Sequence, residues 1–276
     1  MAALMQAKGR DAVGCKMKVS RPIQAEWTRR LLVLVSARQI ARFVGAGVVA
    51  TWAALLGPPV PSAFAEPCPD VEVVFARGTY EPPGVGAVGQ AFVDSLRAQA
   101  GNRSVAAYGV DYAASGDFPP AGDLQAAIPF LSTVMNGIYN ARDHVVSMAA
   151  NCPNTRMVIG GYSQGAALAG FLTSASIPKE VPGEYVAYVP KPMPPQIADH
   201  VAAVTLFGKP SDQFLSSYGA PPIRIGPLYA AKTIDLCAPG DDICSGVPNP
   251  QPGFAHLTYG TNGMTNDAAA FAVSHL

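Results

Sequence analysis

The pentapeptide Gly161-Tyr162-Ser163-Gln164-Gly165 constrains this chain more than any other feature. It follows the apolar run Arg156-Met157-Val158-Ile159-Gly160 and precedes Ala166-Ala167-Leu168-Ala169-Gly170-Phe171, a stretch of small residues compatible with a helix. A G-x-S-x-G between a buried strand and a helix marks a tight turn that lifts a serine hydroxyl above the edge of a sheet. Glycine is needed where the chain reverses so sharply, because side chains there would strike the neighbouring strand and helix. At glycine frequencies near 7%, the pattern arises by chance roughly 0.1 times in a chain of this length. Ser163 is therefore the first candidate nucleophile, set against the alternative of an ordinary glycine-rich turn.

Around that turn, strand-like and helix-like segments alternate. Residues 71–76 form a compact apolar run, 88–98 repeat apolar residues at helical spacing, and 104–110 return to strand character. Residues 128–150 read as a helix, then come the strand 156–160 and its helix, short buried strands at 201–207 and 233–236, and a closing helix over 266–276. The pattern predicts an α/β protein, a three-layer α/β/α sandwich around a central, mainly parallel sheet. One segment breaks the rhythm. Residues 177–195 carry Pro178, Pro182, Pro190, Pro192, Pro194 and Pro195, which keeps them out of strand and helix interiors and makes them a surface excursion, either a flap near the site or a long loop.

The first 65 residues belong to a different kind of segment. Residues 1–42 hold nine Lys and Arg against two acidic residues, and 43–65 carry no charge. The apolar stretch 43–56, about 14 residues, is short for a spanning helix and suits the core of an export signal. Ala63-Phe64-Ala65 supplies small residues for cleavage. The expectation is a leader over 1–65, removed on export, followed by a single domain over 66–276. The rivals are an uncleaved anchor and a start placed too early, Met17 being a more ordinary beginning. Arg29-Arg30 lies too far from the apolar run to define a route.

Removing the leader changes the charge balance. From residue 66 on there are ten Lys and Arg against 17 Asp and Glu, a net charge of −7. Nucleic acid is excluded as a partner, since phosphate binding needs clustered positive charge. Cys68, Cys152, Cys237 and Cys244 form an even set in a chain expected to meet an oxidising compartment, which argues for two disulfides. Of the three pairings, Cys237 with Cys244 closes a small loop and leaves Cys68 with Cys152. Zinc is the weaker alternative, because no C-x-x-C pair or well-spaced histidine accompanies them.

A serine hydroxyl needs a histidine to take its proton and a carboxylate to orient that histidine. In α/β-hydrolase sheets the chain order is Ser, acid, His, which excludes His144. Of the histidines that follow Ser163, His200 opens a strand and His275 sits at the terminus. His256 follows a loop rich in Pro and Gly and is the best placed base. The acid is sought in Cys237-Ala238-Pro239-Gly240-Asp241-Asp242-Ile243-Cys244, where a disulfide would restrict the backbone. Asp241 is favoured, while Asp242 and Asp235 remain rivals that spacing does not dismiss.

Cys68-Pro69-Asp70, Phe75-Ala76-Arg77-Gly78-Thr79, Gly161-Tyr162-Ser163-Gln164-Gly165, Cys237 to Cys244 and His256-Leu257-Thr258-Tyr259-Gly260 together resemble the cutinase family. The likeness is to its actinobacterial, especially mycobacterial, members and covers nearly all of the chain after the leader. It implies a small serine esterase without a full lid, acting through Ser163, Asp241 and His256. The family's acid lies four residues after the first cysteine of the short disulfide, which selects Asp241 over Asp242. The resemblance implies the same disulfide pairing, an oxyanion hole from Thr79 and Gln164, and a structural role for Arg77. No metal or organic cofactor is expected.

The expected function is hydrolysis of carboxylic esters with short to medium acyl chains, lipids and polyesters included, through an acyl-enzyme. Val247 and Phe254 suggest an aliphatic acyl site. Alternatives on the same residues are a phospholipase A or lipase, an acetylxylan esterase, or acyl transfer; a secreted binding protein with a decayed site is the reading outside enzymes. The expected partner is an ester or lipid substrate, including one presented at an interface, with no membrane span after cleavage, a monomeric state, and a location outside the cell or in its envelope. Substrate preference is put in doubt by 177–195 and 247–253, which differ from compact fungal members.

Overall fold

A computed structural model describes residues 67–117, 124–247 and 253–276. The leader expected over 1–65 and the cleavage point before Glu66 lie outside the described residues, as do 248–252.

Five parallel strands form one sheet in the order β2-β1-β3-β4-β5. They are β1 (Val71–Ala76), β2 (Val105–Gly109), β3 (Arg156–Tyr162), β4 (Val201–Phe207) and β5 (Thr233–Leu236). β1, β3 and β4 are buried on both faces, which is why they read as continuous apolar runs rather than alternating ones. Parallel neighbours need crossovers, and helices on both faces supply them. Seven α-helices are described: α1 (Gly86–Gln99), α2 (Leu124–Asn151), α3 (Gln164–Leu172), α4 (Asp212–Ser217), α5 (Pro227–Ala230), α6 (Asp242–Ser245) and α7 (Met264–Val273).

The strand period of two sorts the core into two layers. Val71, Val73 and Phe75 of β1 pack with Val88, Phe92 and Leu96 of α1 and with Ala268, Ala269 and Ala272 of α7. Val74 and Ala76 turn the other way, onto Ile138, Ala141 and Val145 of α2 and Leu168 of α3. β4 departs from strict alternation: Val201, Val204 and Leu206 face α2, while Ala203 and Phe207 face α1. The pairing of β3 with β4 slips between Met157 and Val158, and an extra residue at such a bulge reverses the faces beyond it.

The expected elements are present with shifted ends. β3 extends to Tyr162, and α2 begins at Leu124, with Pro129 inside it. The closing helix runs from Met264 to Val273. The 177–195 segment contains a 3-10 helix over Gly183–Tyr188 with no buried residue. Disulfides join Cys68 to Cys152 and Cys237 to Cys244. The first ties the entrance of β1 to the end of α2; the second closes the loop between β5 and α6. No helix among the described residues is long and apolar enough to cross a membrane.

Candidate active site

At the C-terminal end of β3 the chain turns into α3 within one residue. Ser163 occupies φ 55° and ψ −118°, a conformation unfavourable for a residue with a Cβ and held here by packing on both sides. A Cβ on Gly161 would fall on the Gly165 carbonyl, and one on Gly165 would fall on the carbonyl of Ala76. Those contacts exclude any larger residue at either position. The Ser163 N–H donates to the Phe207 carbonyl at 2.9 Å, which ties the turn to β4.

Ser163 Oγ lies 2.8 Å from Nε2 of His256, and Nδ1 of His256 lies 2.7 Å from Oδ2 of Asp241. His256 sits in a 3-10 turn over Ala255–Leu257. Its backbone carbonyl accepts a 2.7 Å hydrogen bond from the Tyr162 hydroxyl. A Cβ on Gly208 would press on the imidazole, so glycine there lets β4 end against the ring. Asp241 is fully buried. Its Oδ1 accepts from the Ile243 N–H at 3.0 Å, while Oδ2 also accepts from the Tyr259 hydroxyl at 2.6 Å. Burial alone would raise the Asp241 pKa. The hydrogen bonds from His256 and Tyr259, the His256 charge and the Ile243 N–H outweigh it and hold the carboxyl below its usual range. Tyr259 is pushed far up, first by burial and then by its bond to Asp241, so it stays a donor throughout the neutral range.

Tyr259 was not singled out from the sequence. Its hydroxyl donates to Asp241, accepts from the Ala238 N–H at 2.9 Å and lies 3.3 Å from Sγ of Cys244. One tyrosine thus joins the carboxylate to the short disulfide loop. Its place three residues after His256 was visible, but a tyrosine there reads equally as core.

The rival residues stand elsewhere. Asp242 accepts from the Gly253 N–H at 3.3 Å. Asp235 pairs with Lys209 at 3.2 Å. His144 lies 3.0 Å from the Glu72 carboxylate and stacks on Tyr108, His200 meets the Pro153 carbonyl, and His275 meets the Phe271 carbonyl. Among the described residues, no cluster of His, Cys, Asp or Glu is arranged to hold a metal ion.

Thr79 and Gln164, from which two backbone N–H donors are expected, line the same cavity as Ser163. Gln164 is the first residue of α3, so its N–H has no partner within the helix. The Thr79 N–H makes no hydrogen bond among the described residues. The loop that carries Thr79 is held by Arg77, which is buried and donates to the carbonyls of Glu81, Val110 and Tyr112. Glu81 returns its carboxylate to the N–H groups of Gly78 at 2.6 Å and Ala87 at 2.7 Å. Arg77 is therefore spent on loop geometry.

Ser163, Thr79 and Gln164 open into an apolar cavity of about 540 Å³. α2 contributes Phe130, Leu131 and Met135 to its lining, α3 contributes Ala167 and Phe171, and the proline-rich segment contributes Ile177 and Val181. The proline-rich segment thus borders the site. Val247 and Phe254, expected near an acyl site, are not among the lining residues and stand 65% and 74% exposed.

Sheet, elbow and hydrogen-bonded Ser–His–Asp set define the class: an α/β-hydrolase-like protein. Residues 67–276 match the Cutinase family model, and the chain belongs to the cutinase family. Probable carboxylesterase Culp5 of Mycobacterium tuberculosis is 52% identical over 185 residues, 67% of this chain and 95% of the relative. Carboxylesterase Culp1 of Mycobacterium bovis is 45% identical over 243 residues, 87% of this chain and 97% of that one. Phospholipase Culp4 of Mycobacterium tuberculosis is 43% identical over 260 residues, covering 93% and 98%. Among solved structures, Trichoderma reesei cutinase in complex with a C11Y4 phosphonate inhibitor superposes with a TM-score of 0.52 at 32% identity, over 75% of this chain and 77% of the other. The catalytic core of an acetyl xylan esterase from the same organism shares the fold, with a TM-score of 0.57 at 22% identity, over 76% of this chain and 100% of the other. The protein is an enzyme, a cutinase-like carboxylic ester hydrolase.

Proposed function

We propose that the protein is an exported serine esterase that works through an acyl-enzyme, with Ser163 as nucleophile, His256 as general base and Asp241 as the acid that orients it. The observation that carries this reading is the continuous relay from Ser163 Oγ through His256 to Asp241, at 2.8 and 2.7 Å, beside an apolar cavity. Ser163 Oγ attacks the ester carbonyl as His256 Nε2 takes its proton. The C–O bond to the alcohol breaks, and the alcohol leaves with that proton. Water, deprotonated by His256, then attacks the acyl carbon and frees the acid and Ser163. Both tetrahedral oxyanions are held by the N–H groups of Thr79 and Gln164, such donors being worth about 3 to 4 kcal/mol each.

The leader over 1–65 is cleaved before Glu66 on export, leaving a monomeric domain over 66–276 outside the cell or in its envelope. Its net charge of −7 suits an uncharged ester better than an anionic polymer. A second reading within the same chemistry is phospholipase action, favoured by the 43% identity to Phospholipase Culp4 over 93% of this chain.

Incubation of the 66–276 protein with a fluorophosphonate, read by intact mass, tests the assignment. One adduct that is lost in Ser163→Ala, together with an ester-hydrolysis rate reduced on the order of 10⁴- to 10⁶-fold, is the expected result. Substantial turnover by a folded Ser163→Ala protein would overturn it.

A further inference from the structure

A second concavity lies beside the catalytic cavity and differs from it in character. It is an open groove of about 730 Å³ between the loop after β1, the loop after β2 and α2. At 3.6 residues per turn, Thr133 and Asn136 share one face of α2 and line this groove, while Leu131 and Met135 on the other face line the catalytic cavity. After β1 the division falls between consecutive residues, Thr79 lining the cavity and Tyr80 the groove.

The inner wall of the groove is fixed and its outer groups are free. Arg77 donates to the carbonyls of Glu81, Val110 and Tyr112, and the Tyr112 hydroxyl donates back to the Arg77 carbonyl. Asn140 of α2 accepts from the Asp111 N–H and from the Tyr108 hydroxyl, both at 2.9 Å. The Asp111 backbone is thereby anchored, yet its carboxylate makes no hydrogen bond or ion pair among the described residues, and neither do the Asn136 amide and the Tyr80 hydroxyl. Tyr80 holds φ at 61°, a conformation rare for a bulky side chain, and its N–H donates to the Ala114 carbonyl at 2.9 Å. Its ring rests against Gly116, where a Cβ would strike it, and is 75% exposed. Backbone strain of this kind clusters where a side chain must be presented in one place. Here it sets a flat aromatic surface at the edge of the groove, beside Pro82 and Pro83.

These groups define a ligand. Arg77 is the one cation of the lining and is already bonded to three carbonyls, whereas Glu81 and Asp111 contribute two carboxylates. A phosphate or other anion finds no free counter-charge. A carboxylate acceptor, a carboxamide that both donates and accepts, and the hydroxyls of Tyr80 and Thr133 suit a ring of neutral hydroxyl groups. The Tyr80 ring and the two prolines suit the C–H faces of the same ring. At roughly 30 Å³ for each group the size of a water molecule, the groove has room for about 24 of them, or about two hexose rings. We infer that this groove is a binding site for a neutral sugar, placed so that the sugar end of an ester held at Ser163 occupies it. The link to the ester rests on Ser163 being the nucleophile; the binding of sugar does not.

Titration of the folded Ser163→Ala protein with maltose and with cellobiose, read by amide chemical shifts, tests the groove without turnover. The signals of Tyr80, Asp111 and Asn136 should move, with a Kd on the order of 1 mM. Adding Asp111→Ala or Tyr80→Ala should weaken binding at least about tenfold, through loss of a charge-assisted acceptor or of the stacking surface. In the protein with Ser163 intact, KM for a glucose monobutyrate should lie about tenfold below KM for propyl butyrate, the equivalent of one such hydrogen bond. Asp111→Ala should abolish that difference and leave the turnover of propyl butyrate unchanged. Absence of shifts at these residues with either sugar would overturn the site and leave the serine assignment standing. Shifts with choline but not with sugars would make the groove a cation site and overturn the inference as well. Sugar binding with equal KM values would overturn the link to the ester. A serine that resists the fluorophosphonate, with sugar binding intact, would remove the nucleophile assignment and that link while the sugar site stood.

Discussion

The rim that carries Ser163, backed by His256 and Asp241, and the wall formed by α2 with the proline-rich segment meet at the same cavity but are built by different forces. The rim is directional. Glycines at 161, 165 and 208 stand where a Cβ would strike backbone or the imidazole, and Asp241 is met by His256, Tyr259 and the Ile243 N–H. The wall is apolar, its proline-rich segment closes its turns locally, and the Tyr188 carbonyl of that segment accepts an exposed hydrogen bond from the Tyr139 hydroxyl of α2. Directional contacts hold reacting atoms to a fraction of an ångström, which acyl transfer needs. Apolar contacts tolerate changes of length and shape, which substrate selection exploits. A change in the rim should therefore slow every ester alike, and a change in the wall should alter the ratio between long and short esters.

Asp241→Asn should produce the largest effect within this contrast. It keeps the shape of the side chain but disfavours the His256 tautomer with its proton on Nδ1, a change worth about 10⁴ in rate in triads of this kind. Hydrolysis of butyrate and palmitate p-nitrophenyl esters should fall by the same factor. Asp242→Asn disturbs one 3.3 Å contact with the Gly253 N–H and should cost less than about fivefold, the equivalent of about 1 kcal/mol. A reversed order would move the acid to Asp242. Unequal losses on the two esters would show that rim and wall are not separable.

That pair of neighbours also marks how far the sequence could be read. The elbow was legible because sterics leave only glycine at 161 and 165, and the strands because burial on both faces yields unbroken apolar runs. Asp241 and Asp242 were not separable by spacing. In the fold Asp241 is the N-cap of α6 and turns inward, whereas Asp242 begins the helix and turns toward Gly253. α2 starts four residues before the expected 128, although Pro129, its sixth residue, has no N–H to give to the carbonyl of residue 125. Proline content placed 177–195 on the surface but was silent on which surface, since its neighbours across the cavity come from α2 and from the turn after α4. Tyr259 was hidden for a similar reason: its partners are 18 and 21 residues away.

The two disulfides should divide along the same line. Chain-entropy arguments assign about 4.6 kcal/mol to a bridge with the separation of Cys68–Cys152 and about 2.5 kcal/mol to one with that of Cys237–Cys244, their separations being 84 and 7 residues. Replacing Cys68 and Cys152 with Ala should thus lower unfolding free energy more, with little change in the rate of the remaining folded protein. Replacing Cys237 and Cys244 should lower stability less and activity more, because that loop carries Asp241 and touches Tyr259. Urea unfolding followed by fluorescence, with activity measured on the folded fraction, separates the two. Equal activity losses would mean that the rim does not depend on its own bridge.

Tyr259→Phe probes the rim at its finest grain. The substitution removes a hydrogen bond to a buried carboxylate, worth about 1.5 to 3 kcal/mol, and leaves the buried Ala238 N–H without its acceptor, at a further cost of about 1 to 3 kcal/mol. The two parts differ in pH dependence. Asp241 has a folded pKa below its unfolded value, so the stability drawn from its ionised form is complete above about pH 4 and is lost as pH falls through the folded pKa. Deleting the Tyr259 hydroxyl raises that folded pKa toward the ordinary value. The stability gap between wild type and Tyr259→Phe should be widest above pH 4 and narrow on acidification, down to the constant share owed to Ala238. A gap that stayed constant from pH 7 to pH 3 would mean that the hydroxyl serves the disulfide loop alone and contributes nothing to the charge on Asp241. Activity losses confined to long acyl esters would instead place Tyr259 with the wall, against its contacts with Asp241 and Ala238.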